Sequence, residues 1–88
     1  MESVPNAVSQ AVREVVAEHA RLSVDASTLA DDASLYDAGM TSHASVNVML
    51  ALEDRFDVEF PDELLKREVF ESIASISGAI AQLDAEAA

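Results

Sequence analysis

The residues best suited to chemistry in this chain are Thr41-Ser42-His43, at the head of the run GMTSHASVNVML. A serine beside a histidine suggests a nucleophile with its base. On a helix, however, adjacent side chains diverge by about 100°, and a nucleophile–base pair needs hydrogen-bond contact. No Gly-x-Ser-x-Gly elbow surrounds Ser42 either, so nothing presents it on a strained turn. The pattern makes a poor catalyst and a good attachment point. A hydroxyl in the first turn of a helix is exposed, beside N–H groups without intrahelical partners and the positive end of the helix dipole. A phosphodiester on that oxygen would be stabilised. The plainer alternative is an ordinary helix-start serine.

Other chemical candidates carry less. The chain has no cysteine, hence no disulfide framework and no cysteine-based zinc site. The acidic stretch 25–37 lacks the D-x-[DN]-x-[DN]-G spacing and closing Glu of a calcium loop. Asp31-Asp32 reads as part of a solvated loop, and His19, beside the apolar stripe of the first helix, as structural. No catalytic residue and no metal site are expected.

The elements that must position Ser42 follow from hydrophobic spacing. With 88 residues the chain reads as one domain, 1–88, with a disordered tail at 84–88. Val4, Val8, Val12, Val15 and Val16 paint one helix face, with Ser3 as cap, Pro5 in the first turn and the helix fading near Arg21. The stretch LSVDASTLADDASLYDAG has no clear period and reads as a long tethered loop, pinned by Leu22, Val24, Leu29, Leu35 and Tyr36. A second helix is expected over 42–56, a short one near 62–67 after Pro61, and a last one carrying Ile73, Ile76, Ile80 and Leu83. Two glycines and two prolines leave few turns for a β fold. The expected class is all-α, with Val8, Val12, Val15, Leu35, Met49, Leu52, Phe56, Phe60, Ile73, Ile76 and Ile80 as core.

The second helix has more apolar residues than one face needs. With Ser42 at zero, Ser45, Met49, Leu52 and Phe56 fall between about 280° and 340°, and Val48 near 240°; that arc is the expected core face. Val46 and Leu50 fall near 40° and 80°, beside His43. Either this second stripe is packed inside a bundle, or it is an exposed ridge for a partner, flanking Ser42 with Thr41 and His43.

Charge narrows the partners. Seventeen acidic residues against five basic ones give a net charge of −12, which argues against nucleic acid or an anionic membrane. It favours partners with basic surfaces. The first residues lack the basic and apolar regions of a signal peptide, so a cytoplasmic, monomeric protein is expected.

The block DAGMTSHASVNVMLALEDRFDVEFPDELL resembles the segment around the prosthetic-group serine of acyl carrier proteins. The matching parts are Asp37-x-Gly39, Ser42 opening the helix, and Leu52-Glu53-x-x-Phe56-Asp57-x-x-Phe60-Pro61-Asp62-Glu63 closing it. The resemblance implies a four-helix acyl-carrier-protein-like bundle with a long loop between helices 1 and 2. It also implies 4′-phosphopantetheine on Ser42, added from coenzyme A by a phosphopantetheinyl transferase, with cargo held as a thioester. Where fatty-acid carriers are acidic just after the serine, this chain has Ala44 and Asn47; acids begin at Glu53 and Asp54. In this it more closely resembles the small aminoacyl carrier proteins, loaded by amino acid:carrier protein ligases that look like truncated (seryl-type) aminoacyl-tRNA synthetases. The alternatives are a fatty-acyl or polyketide-type carrier and an acidic helical interaction module without a prosthetic group.

Overall fold

A computed structural model describes residues 6–87, with side-chain environments over 7–83. Among the described residues there are three α-helices and no strand: α1 Asn6–His19, α2 Ser42–Phe56 and α3 Ile73–Ala87. The proposed Ser3 cap, Val4 and Pro5 lie outside the described residues. So does Ala88; the rest of the expected disordered tail is described only as backbone, helical to Ala87.

α1 packs on both α2 and α3 through Ala11, Val12, Val15 and Val16, all buried. α3 answers with Ile73, Ile76, Ala79, Ile80 and Leu83. Each large aliphatic side chain taken out of water contributes roughly 1.5–3 kcal/mol. Phe60 and Phe70 close one end of this core, their ring centroids 5.4 Å apart and their planes tilted by 42°.

The core face of α2 is rotated from the expected one. Its buried residues are Ala44, Val48 and Leu52, an arc centred near 240° on the same wheel. Met49 and Phe56, expected in the core, are only half-buried, as are Ser45 and Val8. The apolar wheel is nearly continuous from Ser45 round to Leu50, so hydrophobicity alone cannot place its centre. The small Ala44, which carries little weight in a pattern, marks where α2 approaches the bundle. With the centre moved, Val46 and Leu50 lie on the opposite side and are 50% and 52% exposed.

The helix ends are held by specific bonds. The α2 terminus closes with Asp57 in the left-handed region (φ 54°, ψ 50°), and Val58 N–H reaches back to the Glu53 carbonyl at 3.1 Å, a Schellman-type arrangement. The Glu53 carboxylate accepts the Phe60 N–H at 2.9 Å, tying the following loop to the helix. At the start of α3, Ser72 and Ser75 cap reciprocally: each hydroxyl accepts the other's N–H at 3.0 Å. A serine here fills the place that Glu or Gln takes in a capping box.

Residues 20–41 connect α1 to α2 and contain a 3-10 turn, Ala26–Thr28. Arg13 organises this connection from α1. Its guanidinium donates to the carbonyls of Ala26 (2.6 Å) and Leu29 (2.8 Å) and pairs with the Asp31 carboxylate. Asp31 is thus engaged rather than merely solvated. Hydrogen bonds from Ser27, backbone N–H first and hydroxyl second, hold the Asp25 carboxyl below its ordinary pKa. This contribution to the turn is present at neutral pH and lost as pH falls through the lowered value. Leu35 is fully buried, and its N–H bonds the Glu71 carbonyl at 2.6 Å while Ala74 N–H bonds Asp31 O at 2.8 Å. Val24, expected as an anchor, is exposed.

The short helix expected over 62–67 is a single 3-10 turn, Asp62–Leu64. Leu65 at φ −87°, ψ 62° leaves the helical region directly after it.

Candidate functional site

Ser42 is placed by the turn that precedes it. Residues 35–40 form one helical turn closed by two backbone bonds, Gly39 N–H to Tyr36 O (3.1 Å) and Met40 N–H to Leu35 O (3.0 Å). That is the double bond of a Schellman motif with Gly39 at the C′ position. Gly39 has φ +117°, which side-chain-bearing residues rarely adopt. A Cβ there would sit 3.0 Å from Ser23 N and 3.2 Å from Ser23 Oγ, the two atoms that donate to Ala38 O at 2.9 Å each. Gly39→Ala is therefore expected to destabilise the fold by about 1–3 kcal/mol, read as a lower denaturant midpoint at unchanged m-value.

After buried Met40, Thr41 is extended (φ −88°, ψ 167°) and its hydroxyl accepts the Ala44 N–H at 3.0 Å. Thr41 thus serves as N-cap of α2. Ser42 follows as the first helical residue, exposed, with His43 exposed beside it. Ser45 is different: half-buried, with its hydroxyl turned back to the Ser42 carbonyl at 2.7 Å. His19, half-buried in α1 with Glu18 at 3.6 Å, belongs to another element.

Ser42 opens on a cleft of about 420 Å³ between α2 and the segment before α3. Val46, Met49, Leu65, Phe70 and Tyr36 give it apolar walls, and Ser45, Lys66 and Arg67 its polar ones. The Arg67 guanidinium lies over the Tyr36 ring, 3.9 Å from its centroid, a cation–π contact. Lys66, Arg67 and Tyr36 were missed by sequence reasoning. Two adjacent cations in a chain with five in all are a signal, but only folding brings them beside Ser42.

This arrangement fits a phosphate-linked arm. The hydroxyl is exposed and makes no hydrogen bond among the described residues, the first-turn N–H groups of α2 point its way, and a cleft with apolar walls begins at its foot. Among the described residues no group of His, Cys, Asp or Glu could hold a metal ion.

Comparison with known proteins agrees with this geometry. Residues 10–80 match the family model described as "Phosphopantetheine attachment site". The chain is 46% identical over 69 residues to an aminoacyl carrier protein of Agrobacterium fabrum (strain C58), covering 78% of this chain and 83% of that protein. It superimposes with a TM-score of 0.80 and 44% identity on a chain in a crystal structure of an engineered Bradyrhizobium japonicum glycine:[carrier protein] ligase complexed with carrier protein from Agrobacterium tumefaciens and AMP. That match covers 83% of this chain and 97% of the other. A second match, TM-score 0.72 and 26% identity with the same coverages, is to a chain in a structure of the Bradyrhizobium japonicum ligase complexed with glycylated carrier protein. The chain therefore belongs to the phosphopantetheine-attachment family and, within it, to the aminoacyl carrier proteins: it is a carrier of a covalently held group, not a catalyst.

Proposed function

We propose that Ser42 is the residue that bears the 4′-phosphopantetheine, and that an amino acid:carrier protein ligase loads the arm by docking on the exposed face of α2. The bound arm supplies a terminal thiol on which an aminoacyl group is held as a thioester. The protein's own part is to present that arm. Ser42 supplies the exposed hydroxyl, Thr41 fixes the helix start that aims it, and Gly39 lets the chain turn into that start. A phosphopantetheinyl transferase is the second partner.

The observation that carries the reading is the position of Ser42, exposed as the first residue of α2. The docking face is supported by Val46 and Leu50, half exposed on the side of α2 away from its buried face, with Val46 one turn from Ser42 and lining the same cleft. The first turn of α2 holds no acidic residue, which favours a dedicated apolar interface over the acidic one that fatty-acid enzymes read. Segment 62–70, with its 3-10 turn bracketed by Phe60 and Phe70, is the counterpart of the fourth helix of a carrier bundle, and residues 20–41 are its long loop.

The test has two steps. Incubation with coenzyme A and a promiscuous phosphopantetheinyl transferase should add one arm to the intact mass. The holo form should then accept an amino acid from a carrier-protein ligase in preference to a fatty acid from an acyl ligase. Absence of the mass increase would return the chain to an interaction module.

A further inference from the structure

We propose that Lys66 and Arg67 form a holding site for the phosphodiester of the arm, drawing its first atoms against the mouth of the cleft. This rests on the reading that Ser42 carries the arm. The cleft that Ser42 opens on is lined by both cations and by no carboxylate, in a chain with seventeen acidic residues. Of the other three cations, Arg13 pairs with Asp31 and Arg55 with Glu14 at 3.1 Å, while Arg21 stands exposed just after α1 and does not line this cleft. Lys66 and Arg67 have no acidic partner among the described residues, although Glu68 and Glu63 lie close in sequence. Arg67 is also preorganised. Its guanidinium face rests on Tyr36 at 3.9 Å, which leaves its N–H edge for an anion, the geometry in which arginine binds phosphate best.

Electrostatics favours this use. At a net charge of −12 the protein as a whole repels a phosphodiester, so a free arm would be driven outward. Two cations without an acidic partner among the described residues, in a cleft whose lining holds no carboxylate, oppose that field locally. Because both are exposed, the attraction is modest and screened by salt. Such a hold keeps the arm near the surface between partners and yields readily when an enzyme draws it away.

The test compares wild type, Lys66→Gln, Arg67→Gln and the double variant as apo and holo forms, each holo form verified by intact mass. In wild type at low salt, attaching the arm should shift the amide resonances of residues 65–70 and of Tyr36 as well as the neighbours of Ser42. The phosphorus resonance of the holo form should move as salt is raised to about 1 M, where the Debye length is near 3 Å. In the double variant the shifts at 65–70 should be lost and the phosphorus resonance should no longer respond to salt, while the apo form still folds and melts cooperatively, lowered only by the loss of the Arg67–Tyr36 contact. Wild-type shifts confined to the neighbours of Ser42 would overturn the proposal and leave the cations as contacts for an acidic partner. A missing mass increase in wild type would instead overturn the assignment of Ser42 on which it rests.

Discussion

Ser42→Ala is expected to fold like the wild type and to gain no mass from coenzyme A and a phosphopantetheinyl transferase. On the proposed assignment the effect on modification is complete because the reaction needs the oxygen itself: the serine oxygen would form the phosphodiester with the phosphopantetheine phosphate of coenzyme A, the pyrophosphate bond breaking to release 3′,5′-ADP, and alanine offers no atom for it. The effect on stability is small, since surface changes away from caps and core usually stay within about 0.5 kcal/mol. Ser42 is exposed, and the cap of α2 is supplied by Thr41, which the substitution leaves in place. Neighbouring hydroxyls are poor substitutes. Ser45 Oγ is committed to Ser42 O at 2.7 Å, and Ser34 Oγ accepts the Asp37 N–H at 3.2 Å. Intact mass and a thermal melt on the same sample check both halves. A mass increase that persists in the variant would place the arm on another serine.

Helix existence was legible in the sequence because long apolar periodicities survive any rotation about the helix axis. α1 and α3 show this: Val12, Val15 and Val16 of the valine spacing and Ile73, Ile76 and Ile80 of the isoleucine spacing are buried. The rotation of α2 was not legible. Its apolar residues run most of the way round, and the choice of core face was made by Ala44, whose small side chain lets α2 approach, over Met49 and Phe56. Contacts formed across the chain were hidden for a different reason. Arg13 looked like one more surface cation in α1, and only the return of residues 26–31 shows that it binds two carbonyls and Asp31. The place of Lys66 and Arg67 in the cleft beside Ser42 was hidden likewise, since it depends on which side of α2 their segment packs. The placement of Ser42 at the exposed start of α2 was legible because the argument for it is local, resting on the first turn of one helix; the +117° torsion of Gly39 was not.

The rotated face of α2 gives the second large effect, a separation of stability from loading by two leucines two positions apart. Leu52 is fully buried and Leu50 is 52% exposed. Leu52→Ala removes core packing and should cost about 2–5 kcal/mol, much of the 5–15 kcal/mol that a whole domain has. Leu50→Glu should leave the melting temperature nearly unchanged, because the new carboxylate stays in water and exposed substitutions fall within about 0.5 kcal/mol. It should nevertheless depress loading. An apolar anchor at an interface centre is worth well over about 1 kcal/mol, and here a desolvated charge is added to its loss, so a fall of tenfold or more in ligase kcat/KM is expected. Conversion to the holo form serves as the internal control, because the transferase must still recognise the folded chain around Ser42. The decisive comparison is a melt beside a charging assay on Leu50→Glu. A melting loss that accounts for the activity loss would make the ridge ordinary packing. A normal melt with normal charging would move the ligase to another face of the bundle, leaving Val46 and Leu50 exposed for a partner of a different kind.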